Sequence, residues 1–323
     1  MRDSDYIFAV ARIRVLEKGL LSPEDIRQLV ALKDTSAVLS FLRGRGWGDG
    51  SQDADGAHML RTEEAKVDAS IQDLGLDQRL LEVLDLPERY HNLKVAIKEL
   101  SFGTVVPEAY YSLDGFGRGE LTHAISAQEF SLLPDDMARA ARRALDVMAA
   151  SSDAQWCDVI LDKACLQAMA AAAASSGSDL LVSYVRMFVQ NADLKIVLRG
   201  ARTGKGRRFL EEATCPVEGM DTSALIRHAL AGEQELLDYL DDSDLDAAAS
   251  AIRKSSASFE QWCESRLLDV LKGQGSNIMS PGPILAFVLR RHAEIRNVRI
   301  LLTAKANGFG DDAVLERMCI ANG

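Results

Sequence analysis

Apolar positions along the chain recur at helical spacing. Leu93 with Ile97, Leu194 with Leu198, and Val298 with Leu302 each sit four residues apart and make one stripe of a helix. The enrichment in β-branched and aromatic residues that marks strands is missing: aromatics are 6% of the chain, and its 7 prolines leave long stretches without a helix breaker. The pattern predicts a mostly helical protein. Ser22-Pro23-Glu24-Asp25 reads as a helix start, with serine as N-cap, proline at the first helical position and acids in the first turn. A second start is expected at Pro134-Asp135-Asp136.

Self-comparison shows a threefold repeat. Asn92-Leu93-Lys94-Val95-Ala96-Ile97, Asp193-Leu194-Lys195-Ile196-Val197-Leu198 and Asn297-Val298-Arg299-Ile300-Leu301-Leu302 share one pattern, at spacings of 101 and 104 residues. Each has a glycine eleven residues after its first position, Gly103, Gly204 and Gly308, which predicts a left-handed helix terminator in each copy. Basic residues near these helix ends, Lys94, Lys98, Lys195, Arg199 and Arg299, meet the negative end of the helix dipole. Trp156-Cys157-Asp158 and Trp262-Cys263-Glu264 mark a second helix upstream of the last two copies, with Val67-Asp68 as the counterpart in the first. A third match joins the stretch from Ile26 to Leu42 with that from Leu225 to Leu240, the middle copy beginning at Gly119-Glu120-Leu121. The unit is about 100 residues of several helices, which sets expected domains at 1–105, 106–210 and 211–323. Gly44 to Gly56, with five glycines, is expected to be a mobile excursion within the first unit.

Charge narrows the function classes. With 37 Lys+Arg against 48 Asp+Glu the net charge is −11, which argues against nucleic acid as a partner. The longest apolar run, Ala168 to Ala174, is far short of the ~18 residues a transmembrane helix needs, and the acidic N-terminus lacks the layout of a secretion signal, so a cytosolic chain is expected. Five widely spaced cysteines, with no CxxC, read as buried reduced thiols.

Candidate chemistry is sparse. Gly200-Ala201-Arg202-Thr203-Gly204-Lys205-Gly206 has three residues between its glycines where a phosphate loop needs four, and lacks the Ser or Thr that would hold magnesium. It reads as a helix end with a basic loop. Asp241 to Asp246 holds the densest acids but has no facing acidic partner, and reads as a solvated turn. The five histidines show no ligand spacing, and no cofactor or metal is indicated. Lys195, Arg199, Arg202, Lys205, Arg207 and Arg208 place six positive charges within fourteen residues, either as solvated surface or as a partner site.

The order of three motifs is similar to that of a known family. Tyr6 to Glu17 followed by Leu20-Leu21-Ser22, the Tyr90-His91-Asn92-Leu93-Lys94 helix, and Glu294 to Ile300 with Lys305-Ala306-Asn307-Gly308 resemble the C subunits of bacterial and archaeal A/V-type ATPases, relatives of the d subunits of vacuolar ATPases. The resemblance implies an all-α funnel of three similar domains in quasi-threefold arrangement. It also implies a non-catalytic rotor subunit at the cytoplasmic face of the membrane, between a central shaft of subunits D and F and the membrane rotor ring. Lys94, Lys195 and Arg299 then either point into a central cavity or pair internally, and internal pairing is expected. Docking between bodies of different symmetry favours polar contacts, so association is expected to be salt-sensitive. A helical-repeat adaptor unrelated to the motor and an all-helical enzyme are the alternatives.

Overall fold

The structure is a computed structural model, and it describes residues 3–74, 78–105, 107–111, 113–151, 154–274, 278–315 and 318. Among these the chain is all helical, with no strand. The helices are α1 (Asp3–Leu16), α2 (Pro23–Ala31), α3 (Thr35–Gly44), α4 (Gly56–Leu74), α5 (Gln78–Phe102), α6 (Arg118–Ser126), α7 (Asp135–Ser151) and α8 (Ala154–Ser175). They continue as α9 (Asp179–Thr203), α10 (Arg207–Ala213), α11 (Thr222–Ala231), α12 (Glu233–Asp241), α13 (Asp246–Lys254), α14 (Ser256–Val270), α15 (Gly282–Ala306) and α16 (Asp311–Leu315).

The local signals explain where helices begin and end. Ser22 accepts the Asp25 amide and the Asp25 carboxylate accepts the Ser22 amide, a reciprocal cap with Pro23 at the first position of α2. The expected start near Pro134 is α7, which opens on Asp135 and Asp136. Each repeat motif lies in a helix of 25 residues, α5, α9 or α15. The glycine that follows each has φ of 68° at Gly103, 65° at Gly204 and 69° at Gly308, the left-handed conformation that only glycine adopts cheaply.

Packing divides the chain into two units, one of Met1–Asp77 with Leu240–Gly323 and the other of Gln78–Tyr239. Their borders fall inside the first and third sequence repeats, not at 105 and 210. The reason is that the repeated helices pack forward along the chain. α5 of the first repeat packs on α6 and α8 of the second, and α9 of the second packs on α11 of the third as well as on α8 and α10. α15 of the third packs on α1, α3 and α4 of the first. Each long helix therefore packs on elements of the following repeat, the third on the first, and α9 packs on its own α8 as well. Leu93, Ile97, Leu194, Leu198, Val298 and Leu302 are all buried. The marker pairs of the upstream helices also behave alike: Cys157 in α8, Cys263 in α14 and Val67 in α4 are buried at matching places.

The glycine-rich stretch from Gly44 to Gly56 differs from the open excursion its composition predicts. Trp47 is buried, the Gly48 amide donates to the Glu63 carboxylate at 2.7 Å, and Lys66 donates to the Gly46 and Gly48 carbonyls. Gly46, Gly48 and Gly50 supply positive φ for tight turns that are pinned to α4. Cys157, Cys165, Cys215 and Cys263 are buried free thiols, and Cys319 lies outside the described residues. No described helix is long and apolar enough to cross a membrane.

Candidate functional site

The first position of the repeat motif is a buried polar anchor. Asn92 donates from its amide to the Tyr111 and Phe116 carbonyls, both at 2.9 Å, and accepts the Tyr111 amide at 2.8 Å. Asp193 accepts the Cys215 amide at 2.8 Å and the Thr222 hydroxyl at 3.3 Å. Asn297 is buried at the same place in α15, and one turn before it Glu294 accepts the Leu21 amide. The anchored segments lead into α6, α11 and α2, the three helices whose sequences match. A polar side chain in each long helix thus holds the entry to the matching helix of the next repeat. Burial costs an unpaired polar group a few kcal/mol, and these bonds offset it. Asp193 is the charged member of the set. Burial pushes its carboxyl up to about 6, against the lowering effect of the Cys215 and Thr222 bonds.

The third motif position carries the cations expected to pair internally. Lys94 bonds Asp162 at 2.6 Å and lies 3.9 Å from Asp158, while Lys98 bonds Asp158 at 2.6 Å. Arg299 bonds Glu64 at 2.5 Å. The partners lie on α8 and α4, the upstream helices of the following repeats, so these ion pairs cross from one repeat to the next. Lys195 takes the corresponding place on α9 and is half-buried.

At the C-terminal end of α9, most of the basic cluster is used within the chain. Arg202 grips Glu233 through two nitrogens at 2.9 and 2.6 Å, and Arg207 lies 3.5 Å from Glu211. Lys205 donates to Gln155 at 2.6 Å and sits over the Phe209 ring, Arg208 lies over Trp156, and the two rings meet edge to face. Arg199 is exposed one turn earlier. Gly200, the first glycine of the loop-like stretch, is inside α9 and buried. A Cβ there would lie 2.4 Å from a Leu210 methyl. Close helix approach accounts for this glycine. Asp241 closes α12 and pairs with Arg253 at 2.8 and 2.5 Å, in the turn that leads to α13.

A cluster with no local signature ties α15 to α4. Arg291 pairs with Glu63 and Glu294, and its guanidinium lies 4.4 Å from the centre of the Trp47 ring. Glu63 also accepts from Lys66 at 2.7 Å. Burial pushes the Glu294 carboxyl up, although Arg291 and the Leu21 amide pull it down. Glu63 and Arg291 are 228 residues apart, which hides their partnership from any local reading; the one signal is Glu294, which opens the C-terminal motif.

Buried anchors, repeat-crossing ion pairs and structural glycines make a set of joints between helices. Among the described residues no three His, Cys, Asp or Glu side chains converge as a metal site. The model of the ATP synthase (C/AC39) subunit family covers residues 9–317. The chain belongs to the ATP synthase (C/AC39) subunit family. It is also similar to the C subunit of the V-type sodium ATPase of Enterococcus hirae, at 23% identity over 317 residues, 95% of each chain. In this C/AC39 chain the resemblance carried by the N-terminal, Tyr90 and C-terminal motifs is a full-length one. Two of those motifs lie in α5 and α15, the helices whose anchors join successive repeats.

Proposed function

We propose that the chain is a non-catalytic rotor subunit of a V/A-type ATP synthase or ATPase. In this reading it stands on the membrane rotor ring at the cytoplasmic face, receives the shaft of subunits D and F, and transmits torque between them. The family match over residues 9–317 is the observation that carries the reading. Torque transmission asks for a body that does not shear between its parts. Three 25-residue helices, each anchored by buried polar bonds and ion pairs to the next repeat, suit that demand.

The arrangement proposed with it is three similar domains, 1–105, 106–210 and 211–323, in a quasi-threefold funnel. What supports it is that α5, α9 and α15 each pack on the repeat that follows. Arg199, exposed on α9, is the proposed partner-facing cation of the middle repeat, whereas Lys94, Arg202 and Arg299 serve the joints. Reconstitution tests the reading. Membranes from cells lacking this chain are expected to lose ATP-driven ion pumping while the catalytic head still hydrolyses ATP, and purified chain is expected to restore pumping. Pumping that persists without the chain would overturn it.

A further inference from the structure

α1 has two apolar faces, and the described structure uses one. Ala9, Val10 and Ile13 are buried, and α1 packs on α15. On the opposite side Ile7 is 41% exposed, Phe8 71% and Val15 66%, with exposed Ala11 between them. At 100° per residue these four positions span about 100° of the helix, centred away from the buried face. Aromatic and aliphatic side chains clustered at this exposure mark an interaction site.

The spacing says what kind of cover fits. Phe8, Ala11 and Val15 follow the a, d, a positions of a heptad, and Arg12 and Arg14 fall at the flanking e and g positions. Arg12 bonds Asp73 at 2.7 Å and Arg14 bonds Glu17 at 2.6 Å, yet their side chains stay 45% and 46% exposed beside the seam. We propose that this face of α1 docks a helix of a partner protein whose own apolar seam is flanked by aspartate or glutamate. Charge selects that occupant. An antiparallel second copy of α1 would bring arginine against arginine along both edges, and a parallel copy would set Ile7 and Gly19, not acids, against Arg12 and Arg14. A two-turn stripe with one aromatic ring gives little membrane affinity, and the net charge of −11 opposes anionic headgroups. The inference stands independently of the rotor reading, because it rests on the α1 face alone.

Replacing Phe8 with the photo-crosslinker p-benzoylphenylalanine in the full chain, in its native host, tests this directly. The expected product is a cross-link to a helical segment whose apolar repeat is flanked by carboxylates. Arg12→Glu with Arg14→Glu is expected to lower its yield about fivefold. Thermal melting of the purified variant reports whether its fold survives; should the double reversal melt early, Arg12→Gln with Arg14→Gln and a salt titration of the cross-link replace it, with the yield still expected to fall. Changing the partner's flanking carboxylates to lysine is expected to restore cross-linking to the doubly reversed chain. A cross-link to lipid, to a second copy of this chain or to a segment without flanking acids would overturn the proposal, as would no cross-link or a yield indifferent to charge.

Discussion

Asp193 does with a carboxylate what Asn92 does with an amide, and the difference has a sign. The folded chain holds the Asp193 proton up to about pH 6, whereas the ordinary aspartate value is 3.8. Its contribution to stability is therefore full below about pH 4 and lost as pH rises through about 6. Between pH 5 and 8 the wild-type chain is expected to lose about 1 kcal/mol relative to Asp193→Asn, read from denaturation at both pH values. A difference that does not change with pH would contradict the buried-carboxylate account. Arg291 and Arg299 make a second contrast at this scale. Arg291→Met takes the shared guanidinium from buried Glu63 and Glu294, leaving them Lys66 and the Leu21 amide, and is expected to cost about 3 kcal/mol. Arg299→Met removes an exposed pair and is expected to cost under about 1 kcal/mol. Thermal melting ranks them, and the reverse order would refute the assignment of the joints. The three motif positions are visible as a pattern because identity recurs at fixed spacing. Their anchoring role is not, since Asn92 and Asp193 find their partners 19–29 residues ahead.

Helix ends are the most legible elements, because capping and left-handed termination depend on residue type within a few positions. Ser22, Pro23 and Asp25 state the start of α2, and Gly103, Gly204 and Gly308 state three helix ends. Gly204→Ala is expected to cost about 1–2 kcal/mol through backbone strain alone. Gly200→Ala acts differently, by pushing on Leu210, so Gly200→Ala with Leu210→Ala is expected to cost less than the sum of the two. A double-mutant cycle that is strictly additive would contradict the close approach of α9 and α10. The Gly44 to Gly56 stretch departs from expectation for a related reason. Glycine reports the φ values a turn needs, but the tethers that hold this turn, Glu63 and Lys66, belong to α4.

For the whole molecule, the all-helical class follows from residue composition, while the division into Met1–Asp77 with Leu240–Gly323 and Gln78–Tyr239 does not. That division arises because each long helix packs on the repeat that follows it. Local periodicity reports which face of a helix is buried and is silent on which neighbour buries it. The rotor reading draws on the family match and on this forward packing, and it makes a demand on the intact assembly. Chain carrying an affinity tag, recovered from detergent-solubilised native membranes at about 50 mM salt, is expected to bring with it an ATP-hydrolysing complex and its membrane ring. The same complex is expected to shed the chain at about 500 mM, where the Debye length has shrunk severalfold. Recovery of the chain with neither ATPase activity nor ring at low salt would contradict the account.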